Sequence, residues 1–278
     1  AIMKAYATEM GRQASIDVMD IMAGAGIMQG PNNIFGRGYT SAPMPITVEG
    51  ANLMTRDLMI FGQGATRCHP YAFKVVEAVE QDNLPIFRKN LLLWFWQFAT
   101  GFVVLMLRGV TRGYLTVSIP DVEPQTRRYY RRLGWAASRF GFLTNLAMFL
   151  IGGKLKARGN LTGRYADAVA WQFLAQSALR RFEAEGRRPE DLPLVQYSCE
   201  YALTEVQRAF EGIFENFDGR FGLVLRTFGR FWLVINPLAK FPGDALAAPV
   251  ARISQRYSEQ YRRLTAGDFL PVDGSPGI

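Results

Sequence analysis

One carboxylate stands apart in this chain. Glu49 lies in Pro45-Ile46-Thr47-Val48-Glu49-Gly50-Ala51-Asn52, between an apolar run and a glycine, and a helical pattern begins just after it. A desolvated carboxylate has a raised pKa and can take a weakly acidic proton from carbon. The ordinary fate of such a residue is different: a solvated acid in a first helical turn, favoured by the helix dipole. Type and position alone do not decide between them. Cys68 beside His69 has the residue types of a reactive thiol, but the pair also suits structural positions after a helix break, which is the reading adopted. His69 is the only histidine, and the two cysteines, Cys68 and Cys199, form no CxxC. No zinc or other metal site and no Cys-His-Asn catalytic set is therefore expected. Two lone thiols fit a reducing cytosol, although two cysteines could also form one bridge. Arg127, Arg128, Arg131 and Arg132 surround Tyr129 and Tyr130. Such a cluster suits phosphate or anionic lipid, and suits a solvated face at least as well.

These residues must be positioned by helices. The 278-residue chain is 49% hydrophobic and 20% charged with a net charge of +8, which allows one or two globular domains with a sizeable core. The basic balance comes with no nucleic-acid motif, so no nucleic-acid partner is expected. No alternating strand pattern and no internal repeat is found. The expected class is all-α, a helical bundle followed by a helical extension.

Met3, Tyr6, Ala7, Met10, Ala14, Val18 and Ile21 recur at helical spacing, and Gly24 and Gly26 should stop that helix. Residues 27–47, rich in Gly and Pro, read as a long packed connection. Asn52 is a candidate N-cap for a helix to about Phe61, interrupted by Gly62-Gln63-Gly64. Asp82-Asn83-Leu84-Pro85 is the candidate boundary between domains 1–81 and 82–278. Residues 91–107 are at the short limit of a membrane span and read more readily as a buried or interfacial helix. Further on, Thr162 and Asp191 are candidate N-caps, Phe173 and Tyr165 are expected inward, and Pro249 is a breaker before a last helix over about 251–264. The Gly/Pro-rich tail is expected to be irregular. The chain opens on Ala1-Ile2-Met3-Lys4 directly in a helical pattern, which suggests a piece of something longer, and no signal peptide is recognised.

The chain resembles the acyl-CoA dehydrogenases, and within them the bacterial fatty-acid β-oxidation branch with a helical C-terminal extension. Three matches carry the likeness: Ala1-Ile2-Met3-Lys4 through Glu9-Met10, the turn Asp20-Ile21-Met22-Ala23-Gly24-Ala25-Gly26, and Glu49-Gly50. The run Phe61-Gly62-Gln63-Gly64-Ala65-Thr66-Arg67-Cys68-His69-Pro70-Tyr71 is similar to the bacterial branch. So are Gly152-Gly153-Lys154-Leu155-Lys156 and Asp191-Leu192-Pro193-Leu194-Val195. The resemblance implies a C-terminal portion of an FAD-dependent enzyme acting on a medium- or long-chain fatty acyl-CoA, with Glu49 as base and its backbone N–H as an oxyanion donor. It implies that Gly50 lies against substrate, that Ala51, Asn52 and Leu53 face the flavin, and that Asp20 and Gly24 meet the FAD of a partner subunit. Ala51 replaces the family's usual threonine, and Asp20 and Ala23 replace its glutamine and glycine. Also implied are an electron-transfer acceptor and a homo-oligomer; the lone thiols, with the apolar runs and arginine clusters, suit a cytoplasmic protein peripheral to the inner membrane. Taken alone, this fragment is expected to be inactive. The alternative is a non-enzymatic helical module for oligomerisation or membrane docking.

Overall fold

The computed structural model describes residues 1–267 except Asn32, Glu49, Ser118 and Asp218, and only the backbone of Ile34 and Arg220. The expected irregular tail lies outside the described residues from 268 onward. Helices account for the architecture, and no strand occurs among the described residues, in agreement with the all-α reading.

The chain opens with α1 (Ile2–Met22) and the one-turn α2 (Gly24–Ile27). The break between them falls on Ala23 at φ 48°, one residue before the expected glycine. The apolar stripe of α1 is not a core face: Ala5 and Tyr6 are buried, while Met3, Met10 and Ile21 are exposed. The stretch read as an irregular connection contains α3 (Ile34–Ser41) and α4 (Pro43–Thr47). Asn33 caps α3 by accepting from Gly36 N at 2.8 Å. Pro43 and Pro45 fall in the first turn of α4, where a missing N–H costs nothing. Prolines that read as breakers are here helix starters.

Beyond Gly50 the chain is helical from Asn52 to Cys68 without interruption: α5 (Asn52–Met54), a π-helix (Thr55–Gln63) and α6 (Gly64–Cys68). Gly62 does not break it. A Cβ there would stand 3.0 Å from the Asp57 carbonyl oxygen, five residues back, so glycine permits the wide turn instead of ending it. Then follow α7 (Ala72–Glu80) and α8 (Leu84–Val110). Asp82 at φ 49° turns the chain between them, and Asn83 caps α8 through Ile86 N at 3.2 Å.

The packed centre comes from α9 (Arg127–Leu150), a 3₁₀ turn (Gly152–Ala157), α10 (Gly159–Ala184) and α11 (Leu192–Asn216). Trp135, Tyr165, Leu203, Phe210 and Ile213 are fully buried there, and Tyr165 Oη donates to Leu143 O at 2.9 Å. Phe61 joins this core from the π-helix, its ring stacked on Tyr165 at 4.3 Å. Phe173, expected inward, is exposed. Thr162, an expected cap, instead sits inside the first turn of α10, donating to Arg158 O and Gly159 O. Asp191 holds the expected N-cap position of α11 with Pro193 in the first turn, but its side chain makes no cap bond: it pairs with Arg263 and accepts from Gln260.

The chain closes with α12 (Gly219–Val224), a π turn (Leu225–Gly229), α13 (Arg230–Ile235), α14 (Asp244–Ser254) and α15 (Glu259–Leu264). Pro249 lies within α14, and the single last helix expected over 251–264 is two. Ser258 caps α15 through Tyr261 N.

The 27-residue α8 departs furthest from expectation. Only 11% of its most apolar window is buried, so it is not a core helix, although by length and composition it could cross a bilayer. Phe95, Trp96 and Val103 on α8 are exposed, as are Phe228, Phe231 and Val234 near the C-terminal end. One side of α8 packs on α9, with Phe98 stacked on Phe142 at 5.2 Å and Trp94 buried in a polar cluster. Asn145 Oδ1 accepts from Trp94 Nε1 at 2.6 Å and from His69 Nε2 at 3.0 Å. His69 Nδ1 in turn accepts from the N–H groups of Tyr71 and Ala72 at the start of α7. Those bonds assign the neutral tautomer with the proton on Nε2.

Burial pushes the His69 pKa below its ordinary value, with the Asn145 hydrogen bond opposing. The folded chain thus holds the ring neutral, and protons favour the unfolded chain. The stability this contributes is fully present above the unfolded value of about 6.5 and is lost as pH falls below it. The melting temperature should decline from pH 7 to pH 5. In His69→Asn, where an Asx turn keeps a backbone acceptor, that decline should flatten, as read by paired thermal melts.

Candidate active site

Glu49 lies outside the described residues, so the candidate site is built from the residues around it. Gly50 has φ 96°, a conformation that side-chain-bearing residues rarely adopt. It follows that the chain reverses at Gly50 and enters α5 with its backbone uncovered.

This reversal is tied to α1 by polar contacts. Lys4 Nζ donates to Gly50 O at 2.6 Å and to Asn52 Oδ1 at 2.7 Å. Asn52 Nδ2 donates to Thr8 Oγ1 at 2.8 Å, to Ala5 O at 3.2 Å and, more weakly, to Glu9 Oε1 at 3.4 Å. Asn52 is buried, and its amide is spent on α1. It is not the N-cap read from the sequence: Ala51 holds that position, no side-chain cap bond forms at α5, and the Asn52 side chain is turned toward α1. Its neighbours face outward: Gly50, Ala51 and Leu53 are exposed, Leu53 at 66%. Lys4 as the holder of Gly50 was not singled out in the sequence. The signal was the lysine and downstream acid of the first helix, whose spacing from Gly50 only the fold closes.

The next turn docks on α10. Arg56 Nε and Nη2 meet both oxygens of Asp167 at 2.6 and 2.5 Å, and Tyr6 Oη donates to Asp167 Oδ1 at 2.7 Å. Asp57 accepts from Arg56 Nη1 at 3.0 Å. Burial, and then the charge of Asp167, push the Tyr6 hydroxyl far above its usual range, so it stays a donor. Hydrogen bonding to Asp167 holds Arg56 charged. Burial raises the Asp57 carboxyl, and Arg56 opposes. This node joins α1, the π-helix and α10 across 111 and 161 residues of sequence, and nothing local announces it.

Asp20 and Gly24 are exposed at the far end of α1. Sixteen helical residues separate Asp20 from Lys4, about 24 Å at the α-helical rise. The chain therefore does not bring the Asp20–Gly24 turn to the Gly50–Leu53 turn. Beside the former, a cavity of about 510 Å³ lies between the end of α1 and α3, lined by Met19, Gly26, Met28, Arg37, Tyr39 and Thr40. Neither Asp20 nor Gly24 lines it.

The remaining candidates resolve plainly. Cys68 and Cys199 are both free, Cys68 exposed and Cys199 buried. Among the described residues, no group of three or more His, Cys, Asp or Glu could hold a metal ion. The arginine cluster at the start of α9 is divided: Arg128 pairs with Glu200 and Tyr129, and Arg131 lies over the Tyr114 ring at 4.0 Å.

Residues 66–278 match the family model described as "Acyl-CoA dehydrogenase, C-terminal, bacterial type". No solved structure matches the chain.

The docking node depends on a small residue. A Cβ on Gly163 would overlap Arg56 Nη1 and Asp57 Oδ1, and Arg56 is held by both Asp167 oxygens and cannot swing away freely. Gly163→Ala should cost about 1–3 kcal/mol. An Arg56→Ala background should relieve part of that cost, measured as a double-mutant cycle by denaturant unfolding.

Proposed function

Because the chain belongs to the bacterial-type acyl-CoA dehydrogenase C-terminal family, we propose that it forms the C-terminal portion of an FAD-dependent enzyme that oxidises medium- and long-chain fatty acyl-CoA to trans-2-enoyl-CoA in fatty acid β-oxidation. The family match over residues 66–278 is the observation that carries this reading. On it, residues 1–81 hold the catalytic base and residues 82–278 form the extension. Partners would be the acyl-CoA, an electron-transfer acceptor and further copies of the chain.

Glu49 removes the proton α to the thioester carbonyl. Charge then develops on the thioester oxygen, where an aimed donor lowers the barrier, and the backbone N–H of Glu49 is the donor assigned. Bound FAD supplies the acceptor for the hydride leaving the β carbon. Gly50, with no side chain and a left-handed backbone, leaves room for substrate to approach the main chain. Lys4 and Asn52 fix that turn against α1, so the base is carried on a braced turn. Exposed Ala51 and Leu53 present an apolar face that suits an aromatic ring system; Asn52, turned inward, contributes through position and not through a side-chain contact. At the other end, the exposed backbone of Gly24 suits a close approach, while the Asp20 carboxylate is poorly matched to a pyrophosphate. The uncovered apolar residues of α1 favour a covering surface from another region or a partner subunit.

The test is spectroscopic. Protein carrying this chain with its flavin-binding region should be yellow and should bleach on anaerobic mixing with a long-chain acyl-CoA. Glu49→Gln should slow the bleaching about 10²–10⁴-fold; bleaching at the wild-type rate would remove Glu49 from the chemistry.

A second reading, compatible with the first, has its own observation. The exposed apolar surface of α8, with that of α12 and α13, favours a cytoplasmic protein docked on the inner membrane surface. Phe95→Ser/Trp96→Ser/Phe228→Ser should cut co-sedimentation with anionic vesicles at least about tenfold, since each side chain contributes roughly 1.5–3 kcal/mol on burial. Unchanged sedimentation, with a concentration-dependent change of mass instead, would assign this surface to self-association.

A further inference from the structure

Arg139 is an arginine where the fold has no use for one. It lies midway along α9, 3% exposed, and neither Nη1 nor Nη2 has a hydrogen-bond partner. No carboxylate is recorded against it among the described residues. Its nearest stabilising neighbours are rings: Cζ stands 4.8 Å from the centre of Trp135 and 5.3 Å from that of Phe210. Burial lowers its pKa to about 10, which leaves it cationic at neutral pH. An unpaired buried charge is among the most costly groups a core can hold, and a hydrophobic residue of similar volume would suit the position better.

Arg139 also lines a cavity of about 350 Å³ between α8, α9 and the segment from α12 to α13, with both of its Nη atoms buried. The cavity is in the size range of small-molecule sites. Phe102, Leu143, Leu146, Phe214, Leu225 and Phe228 supply apolar walls, and Arg139 is the one charged residue among its described lining residues. Its outer side is made by half-exposed or exposed residues such as Phe102, Val224 and Phe228, so it opens onto the uncovered apolar surface of the molecule.

We propose that this cavity binds a single-chain fatty carboxylate, its head paired with Arg139 and its chain directed along the apolar walls toward the surface. A carboxylate matches the guanidinium fork and brings no other polar atoms. A phospholipid head would bring ester and glycerol oxygens for which the lining offers no set of donors, and leaving them unpaired is costly. A fatty acyl-CoA thioester presents no charge at the end of its chain. None of the described lining residues belongs to the Gly50–Leu53 turn, and the binding is independent of flavin chemistry.

The test is binding of dodecanoate to the full chain, measured calorimetrically below the micellar range, with dodecanol as the uncharged control. Dodecanoate should bind at one per chain and at least tenfold more tightly than dodecanol. Arg139→Met should lower dodecanoate affinity at least tenfold, leave dodecanol unchanged, and melt at the same or a higher temperature without ligand. Val224→Glu, at a half-exposed position on the rim, should weaken dodecanoate without changing the melt, which keeps the test open should the Arg139 variant fold poorly. Equal affinity for acid and alcohol, or dodecanoate binding unaffected by either substitution, would overturn the proposal. So would an absence of binding, which leaves the cavity to water. If Arg139→Met loses affinity for phosphatidylglycerol vesicles but not for dodecanoate, the cavity belongs to a phospholipid head and the single-chain assignment fails.

Discussion

The ion pair between Arg56 and Asp167 ties the π-helix to α10. Both carboxylate oxygens are engaged, Tyr6 adds a third bond, and Gly163 lets the backbones approach. The pair is partly buried, so its geometry matters more than its net contribution to stability. It sets the rotation of the π-helix on α10, which in turn places Phe61 on Tyr165 and α1 under the Gly50 turn. Lys4 and Asn52 then act within a frame this pair has already fixed. The Gly50 turn is thus braced through α1 by contacts that reach Asp167 on α10.

Much of this was legible before any coordinates. The all-α class, α1, the break at Asp82 and the burial of Tyr165 on α10 follow from helical periodicity and turn residues. So does the family, from short motifs around Glu49 and after Phe61. The failures share a cause. Pro43, Pro45 and Pro249 read as breakers because residue type was weighed over position within a turn, and Gly62 because glycine's tolerance of a wide π turn looks the same in sequence as a stop. The role of Asn52 was misjudged because its partners, Lys4, Ala5 and Thr8, lie more than forty residues away. Arg56, Asp167 and Arg139 carried no signal at all: an arginine among many in a basic chain looks solvated until its surroundings are known.

Hydrophobicity was the least faithful guide to burial. The most apolar helix, α8, is largely uncovered, whereas α10, much less apolar overall, is the centre of the core. Small residues explain the difference: Ala166, Ala168 and Ala175 are buried on α10 in the central core, and Ala170 is buried against Ala5 and Tyr6 of α1, so that neighbouring helices approach closely. The large side chains of α8 are left to face outward, where membrane, partner or ligand can meet them. The core and the apolar surface are thus separate features, built from different residue sizes.

α1 carries a consequence of its own. It connects the braced Gly50 turn at one end with the Gly24 turn at the other, and most of its side chains between are exposed. Beyond Lys4, Ala5, Tyr6 and Thr8, its sequence is therefore less constrained than its length. One inserted residue would push the far turn about 1.5 Å outward and swing it by roughly 100° about the helix axis. α1 serves as a spacer, setting the distance and the angle at which two ends of one subunit are presented to whatever lies beside it.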